Sequence, residues 1–188
     1  MNRISKLLLL IGIILLSLSI LLYFNFQLEE ICSRKMVKDT MDNLINNDSE
    51  VIHNDNFDIK AIDNEEYIGY LEIPSLNLLL PITNGYSYNS LRKSPALYYG
   101  NLNSNLVICG HSYKAHFGNL YKLKQGDTVI FRDINNNRYV YEVETVEILK
   151  PTEIKEMIES NFDLTLYTCT KDSKSRVTIR CNRIGWFG

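Results

Sequence analysis

The chain has 188 residues, a net charge of −2 and 45% hydrophobic residues. This length allows one domain with a substantial core and is too short for two domains plus an anchor. The near-neutral charge excludes the strongly basic surface typical of nucleic-acid binding and the acidic composition of a disordered tail. Twelve tyrosines favour a β-rich domain, because aromatic side chains cover half-buried sheet faces.

The N-terminal segment is apolar enough to cross a membrane. Residues 7–24 read LLLLIGIILLSLSILLYF without a charge, and this length reaches the roughly 17–25 residues that a span needs. Two basic residues precede the run and two acidic residues follow it: Arg3, Lys6, Glu29 and Glu30. Because positive residues stay inside, we predict a single-pass cell-membrane anchor at 7–26, with residues 1–6 cytoplasmic and the remainder extracellular. A cleaved signal peptide is the alternative, although its apolar region is usually shorter.

Residues 27–64 predict a juxtamembrane helix followed by a polar linker. Between Leu28 and Ile45 apolar residues recur about every four positions, which is typical of an amphipathic helix. Residues 46–64 are dominated by Asn and Asp, which favours a linker that holds a domain off the membrane. The folded domain is therefore expected to cover residues 65–188.

Residues 65–188 contain seven or eight short strand patterns and little helix. Strands are predicted at 67–73, 76–82, 105–109, 127–133, 138–149, 164–169 and 176–184. Short helices fit only at 88–91, 117–123 and 152–160. This pattern predicts an all-β fold with short helices, arranged as a closed or nearly closed barrel.

The last two strand patterns bring a thiol and a guanidinium together. Side chains alternate between the faces of a strand, so Tyr167 and Cys169 share one face. Folding the hairpin back over the polar residues 170–175 places Arg176 roughly opposite Cys169. A nearby cation favours the nucleophilic thiolate and can bind an oxyanion. Arg180 is predicted to be a solvated strand residue but is retained as the alternative functional arginine.

Three histidines are candidates for proton transfer, since the ordinary pKa of histidine is about 6.5. His53 lies in the polar segment and is expected to be solvated. His111 follows a buried strand pattern and Gly110, so it emerges where a strand ends, at the mouth of a cleft. His116 is predicted to be a surface-loop residue.

The chain has four cysteines: Cys32, Cys109, Cys169 and Cys181. An even number outside the membrane permits two disulfides. No CxxC pair occurs, so we expect no zinc site, and we predict no other metal or cofactor. Cys109 and Cys181 lie within strand patterns, which favours buried core thiols.

Four segments resemble the sortase family, in the expected order and after the expected N-terminal anchor. Thr165–Cys169 reads TLYTC and precedes Arg176, like the sortase signature TLxTC with its catalytic arginine. Val107–Ser112, VICGHS, resembles the segment that holds the catalytic histidine. Residues 117–129 resemble the turn and strand that follow this histidine, and residues 67–82 resemble the first two sortase strands.

The resemblance implies a closed eight-stranded β-barrel and a cysteine transpeptidase. Cys169 would be the nucleophile, and His111 would protonate the departing amine. Arg176 would hold the sorting peptide and the oxyanion, and Thr168 would support the oxyanion through its hydroxyl or backbone. The substrate would be an LPxTG-like sorting signal of secreted proteins. The acceptor would be an amine on peptidoglycan, on its lipid-linked precursor or on a pilin, so that proteins become attached to the cell wall.

Two departures from the family pattern bear on the subclass. No second apolar span follows the predicted barrel, and no long helical insert precedes LTLYTC. We therefore expect a small single-span enzyme, class D-like or class A-like. An L,D-type cysteine transpeptidase is disfavoured because threonines, Thr168 and Thr170, flank Cys169. A non-catalytic membrane-anchored β-barrel that binds peptide or cell-wall polymer is the alternative from another class.

Overall fold

The computed structural model describes residues 3–46 and 50–187, which divide into two compact units, Met1–Cys32 and Ser33–Gly188. The described residues form three α-helices and ten strands. The helices are α1 Arg3–Asn46, α2 Tyr88–Lys93 and α3 Ile154–Ile158. The strands are β1 Val51–Ile52, β2 Ile59–Ile62, β3 Glu65–Ile73, β4 Leu78–Thr83, β5 Ala96–Tyr99, β6 Leu106–Cys109, β7 Thr128–Asp133, β8 Arg138–Leu149, β9 Leu164–Cys169 and β10 Arg176–Phe187.

Helix α1 is long because its sequence contains no proline and only one glycine, Gly12, near its start. Among the described residues, α1 is the helix that is long and apolar enough to cross a membrane. Its large apolar side chains between Leu7 and Phe26 are exposed, as expected of a helix that faces lipid. The juxtamembrane helix predicted from Leu28 is a continuation of the same helix.

The region predicted as a polar linker contains strands and buried side chains. β2 pairs antiparallel with the start of β3, and Phe57, Ile59 and Ile62 are buried. The end of α1 also contributes to the core, through Val37, Met41 and Leu44. The apolar residues in this region are isolated among Asn and Asp and do not recur at helix or strand spacing. The sequence pattern therefore did not predict that they are buried. Residues 47–49 of the predicted linker lie outside the described residues.

Eight of the ten described strands form a closed ring of hydrogen-bonded neighbours. Their order is β3–β4–β5–β6–β9–β10–β8–β7, and β7 pairs back onto β3. The ring confirms the all-β class. The predicted strands have counterparts in β3, β4 and β6 to β10, whereas the short strands β1, β2 and β5 were not predicted.

The position of β9 in the ring sets up the site. β9 runs parallel to β6, with Cys109 beside Tyr167, and antiparallel to β10, with Cys169 opposite Arg176. The ends of β6 and β9 therefore meet the start of β10 at one edge of the ring, which we call the rim.

Candidate active site

Cys169 and Arg176 lie directly opposite each other at the rim. They are the last residue of β9 and the first residue of β10, and both are half-buried. The loop between them is closed by the Thr170 N–H, which donates to the Ser175 carbonyl at 2.9 Å. The pairing of Arg176 with Cys169 that side-chain alternation predicts is confirmed. The thiol therefore has a guanidinium-bearing residue as its cross-strand neighbour.

His111 follows the end of β6, the strand that neighbours β9 on the side opposite β10. The Gly110 N–H donates to the Tyr167 carbonyl at 3.1 Å, so the parallel register continues past the last strand residue. Continued two residues beyond the pair Cys109 and Tyr167, this register predicts that His111 lies beside Cys169. The sequence-predicted thiol, imidazole and guanidinium thus come from three neighbouring strands.

Thr168 ties these two strands together. Its buried hydroxyl donates to the Gly110 carbonyl at 2.7 Å. A hydroxyl has one proton to donate, so this contact fixes the peptide before His111 and leaves no hydroxyl proton for an oxyanion. The predicted oxyanion role is consequently confined to the backbone of Thr168, where it stays a prediction.

Two tyrosine rings bracket the imidazole of His111. The Tyr88 ring lies edge-on, with a centroid distance of 6.0 Å, and the Tyr113 ring is tilted by 38° at 5.0 Å. Tyr88 is the first residue of α2, whose start is fixed by reciprocal hydrogen bonds between Ser87 and Ser90. The contact between Tyr88 and His111 was not predicted from the sequence. The available signal was the pattern S-x-x-S, which marks the start of the short helix that carries Tyr88.

The loop that follows His111 is tightly folded. The Phe117 N–H donates to the His111 carbonyl at 3.1 Å, and the Gly118 N–H donates to the Tyr113 carbonyl at 2.8 Å. A Cβ atom at Gly118 would lie 2.4 Å from the Ser112 carbonyl oxygen, so only glycine fits there. This packing makes residues 111–118 a single compact loop, which we call the histidine loop.

The prediction that His116 is a surface residue is wrong. Its side chain is fully buried, and Nε2 lies 2.9 Å from the Ser33 hydroxyl oxygen in α1. Burial, together with the nearby His111, lowers the pKa of His116 to about 4. His116 is therefore a neutral, hydrogen-bonded imidazole at neutral pH. The sequence could not reveal its partner, which lies 83 residues away.

Arg180 is also buried, which contradicts its prediction as a solvated residue. Its Nε donates to Glu147 Oε1 at 2.6 Å, and another guanidinium nitrogen donates to Thr165 Oγ1 at 3.0 Å. Two further donations, at 3.2 and 2.6 Å, reach the carbonyls of Met157 and Glu156 in α3. The guanidinium thus fastens α3 to the sheet and is occupied by protein partners.

The four cysteines are free thiols in distinct environments. Cys109 and Cys181 are buried, as predicted. Burial raises the pKa of the Cys109 thiol to about 12 and also raises the pKa of the Cys181 thiol. Both stay protonated and inert at neutral pH. Cys32 is exposed and Cys169 is half-buried at the rim.

A cavity of about 220 Å³ opens beside Arg176. Three tyrosines line it in an edge-to-face chain, with 5.9 Å between the ring centroids of Tyr86 and Tyr98 and 5.4 Å between those of Tyr98 and Tyr167. Ile154 and Met157 of α3 add apolar lining, and Lys150 and Glu153 add charged groups. This combination of aromatic, aliphatic and cationic lining suits an extended peptide with apolar side chains.

The fold and site together define an all-β protein with a thiol, an imidazole and a guanidinium at one rim of its strand ring. Residues 71–184 match the family model of the sortase domain. Because this match covers more than half of the chain, the chain belongs to the sortase family.

Known proteins with similar sequences or structures are also sortases. Sortase A of Bacillus anthracis is 28% identical over 134 residues, which cover 66% of this chain and 63% of that protein. This chain therefore spans less than two thirds of that relative. Sortase A from Corynebacterium diphtheriae superposes with a TM-score of 0.58 and 26% identity, covering 63% of this chain and 61% of that chain. Sortase C1 from Streptococcus agalactiae superposes with a TM-score of 0.59 and 29% identity, covering 66% of this chain and 71% of that chain.

Proposed function

We propose that the chain is a membrane-anchored cysteine transpeptidase that joins secreted proteins to an amine of the cell wall. The observation that carries this proposal is the rim, where Cys169 lies between the strand end bearing His111 and its cross-strand partner Arg176. The thiolate is the nucleophilic form of cysteine, and a nearby cation favours it. Membership of the sortase family supports this chemistry.

The reaction has two halves. In the first, the Cys169 sulfur attacks the carbonyl carbon of the scissile peptide bond and a C–S bond forms. The C–N bond then breaks, and the departing amine takes a proton from His111. In the second half, an acceptor amine attacks the thioester carbon and gives its proton to His111. The C–S bond breaks and the thiolate is regenerated, so no oxidant or cofactor is consumed.

Arg176 has two functions in this proposal. Its guanidinium stabilises the oxygen that becomes negative when the thiolate attacks, and it holds the carbonyls of the bound peptide. The neighbouring tyrosine-lined cavity would receive the apolar residues of an LPxTG-like sorting signal. Thr168 keeps the two reacting strands in register through its bond to Gly110.

Helix α1 supplies the anchor. Its apolar N-terminal part would span the cell membrane, with the N-terminus cytoplasmic because Arg3 and Lys6 precede the span. The catalytic unit would then be extracellular, where secreted substrates and the amines of peptidoglycan, of its lipid-linked precursor or of a pilin are available.

Mass spectrometry of the full chain in detergent tests the proposal. The chain is incubated with an LPxTG-type peptide and a panel of amines. We expect an acyl adduct on Cys169 and a product whose formation depends on the amine, and Cys169→Ala should give neither. Cys181→Ala is the matched control, because Cys181 is buried away from the rim and should leave both signals intact. Turnover by Cys169→Ala would refute the mechanism. If that peptide is not cleaved, the folded wild-type protein is incubated with a library of other peptides. A library that also stays intact would favour a non-catalytic binding module.

A further inference from the structure

The buried contact between Ser33 and His116 joins two distant parts of the catalytic unit. Ser33 is 2% exposed and His116 is 0% exposed, and the Ser33 hydroxyl oxygen lies 2.9 Å from His116 Nε2. Ser33 lies in the segment of α1 that belongs to the compact unit Ser33–Gly188. His116 lies in the histidine loop, five positions after the catalytic histidine. The contact is therefore a buried polar connection, in which an unpaired partner would be costly.

A short chain of contacts leads from this hydrogen bond to His111. The Tyr113 ring lies between the two imidazoles, 5.7 Å from that of His116 and 5.0 Å from that of His111. The His116 N–H donates to the Tyr113 carbonyl at 3.0 Å. Because backbone hydrogen bonds close the loop and it is tightly packed at Gly118, we expect a displacement of His116 to move Tyr113 and, with it, the neighbouring His111 ring.

The environment of His116 suits a structural rather than a chemical role. Its imidazole has no access to solvent and is held neutral by burial, so it places no permanent positive charge beside His111. A neutral imidazole can donate or accept at Nε2, and a hydroxyl can do the same, so the hydrogen bond between Ser33 and His116 can form in either tautomer.

We propose that Ser33 and His116 are positioning residues for the catalytic imidazole of His111. The segment Ser33–Asn46 of α1 is, in this view, a support of the active site as well as a connection to the anchor. The inference rests on the proposed transpeptidase function and extends it by assigning a positioning role to Ser33, which precedes the sortase-like segment 71–184, and to His116 within that segment.

The test compares four variants of the full chain in detergent micelles. Ser33→Ala removes the hydroxyl, and His116→Leu removes the imidazole. His116→Gln keeps a polar nitrogen or oxygen near the position of Nε2. Ser17→Ala makes the same chemical change as Ser33→Ala in the same helix, at an exposed residue that bonds only to its own helix through the Ile13 carbonyl.

Two readouts separate positioning from simple destabilisation. The first is kcat and KM for peptide cleavage, measured well below the melting temperature of each variant. We expect Ser33→Ala and His116→Leu to lower kcat about tenfold to a hundredfold with little change in KM, since misplacement of a catalytic group affects the chemical step. His116→Gln should recover most of the rate, and Ser17→Ala should match the wild type. The second readout is the ring NMR signals of His111, which should shift or broaden in Ser33→Ala and stay unchanged in Ser17→Ala.

The outcomes distinguish this inference from the proposed function. Wild-type kcat together with unchanged His111 signals in Ser33→Ala overturns the positioning role and leaves the transpeptidase intact. Loss of rate in His116→Leu without recovery in His116→Gln, and with unchanged His111 signals, also overturns it. If the wild type has no turnover, the proposed function fails, and the His111 ring signals alone decide whether Ser33 positions that ring.

Discussion

The rim of the strand ring and the buried parts of the same unit contain the same three reactive residue types. Each type has a half-buried member at the rim and a buried member elsewhere. The rim members are Cys169, His111 and Arg176, and the buried members are Cys181, His116 and Arg180. Burial keeps the Cys181 thiol protonated, holds the His116 imidazole neutral and commits the Arg180 guanidinium to Glu147 and α3.

In this fold, residue type alone does not identify a reactive group. A side chain at the rim can meet a substrate, whereas a buried side chain has its charge suppressed or its donors occupied. Substitution of the cysteines and arginines should therefore lower activity at the rim and stability in the interior, whereas substitution of His116 should affect both properties because it also positions His111.

The largest expected difference is within the cysteines. Cys169→Ala should lower peptide cleavage by at least about 10⁴-fold, because the covalent route is removed. Cys181→Ala should leave the rate within about threefold and cost about 1 kcal/mol of stability through a small cavity. Peptide-cleavage rates and urea unfolding followed by circular dichroism check both values. Equal loss of activity in the two variants would contradict the distinction.

Substitution of the two arginines should affect different properties, activity at Arg176 and stability at Arg180. Arg176→Ala should lower kcat/KM by about 10²–10³-fold through loss of the oxyanion and peptide contacts, with little change in unfolding. Arg176→Lys should recover only part of the rate, because an ammonium lacks the planar donor fork. Arg180→Ala should cost about 3 kcal/mol, a value at the lower end for a buried pair because Glu147 remains partly solvated. If Arg180→Ala removes activity without loss of stability, the assignment of the two arginines is reversed.

The buried histidine predicts a loss of stability in acid. The pKa of His116 is lowered from 6.5 to about 4, so between these values the unfolded state binds a proton that the folded state does not. The stabilisation from the neutral His116 is fully present above pH 6.5 and is lost as the pH falls to 4, by about 3 kcal/mol in total and about 2–3 kcal/mol at pH 4.5. His116→Gln should lose this part of the pH dependence in urea unfolding at pH 7 and 4.5. His53→Gln, at a side chain that is 80% exposed, should retain it.

The smallest effect is expected at Thr168, which connects the rim to the interior. Thr168→Val keeps the shape and removes the hydrogen bond to Gly110, which should cost about 1–2 kcal/mol and lower the cleavage rate several-fold. Thr168→Ser should keep the bond and both properties. An unaltered rate in Thr168→Val would show that backbone pairing alone holds the two strands in place.

The sequence allowed the rim to be predicted far better than its support. Arg176 could be predicted opposite Cys169 because the two residues are close in the chain and share a hairpin, in which side chains alternate between the two faces. Ser33 and His116 gave no such signal, because their contact depends on how a helix packs against a loop 83 residues away. Arg180 was misjudged for a related reason. Alternation identified its face, but only the placement of α3 shows that this face is covered.

The hydrogen bond between Thr168 and Gly110 joins residues that are 58 positions apart, and this separation has a consequence for the order of folding. The β9–β10 hairpin is local and can form early, whereas the parallel pairing of β6 with β9 must wait until the intervening chain is arranged. We therefore expect the thiol and the guanidinium to meet first and the imidazole to arrive last. A nascent or incompletely folded chain would then carry a cysteine without its proton-transfer partner, and acylation would begin only after the last long-range strand pair has formed.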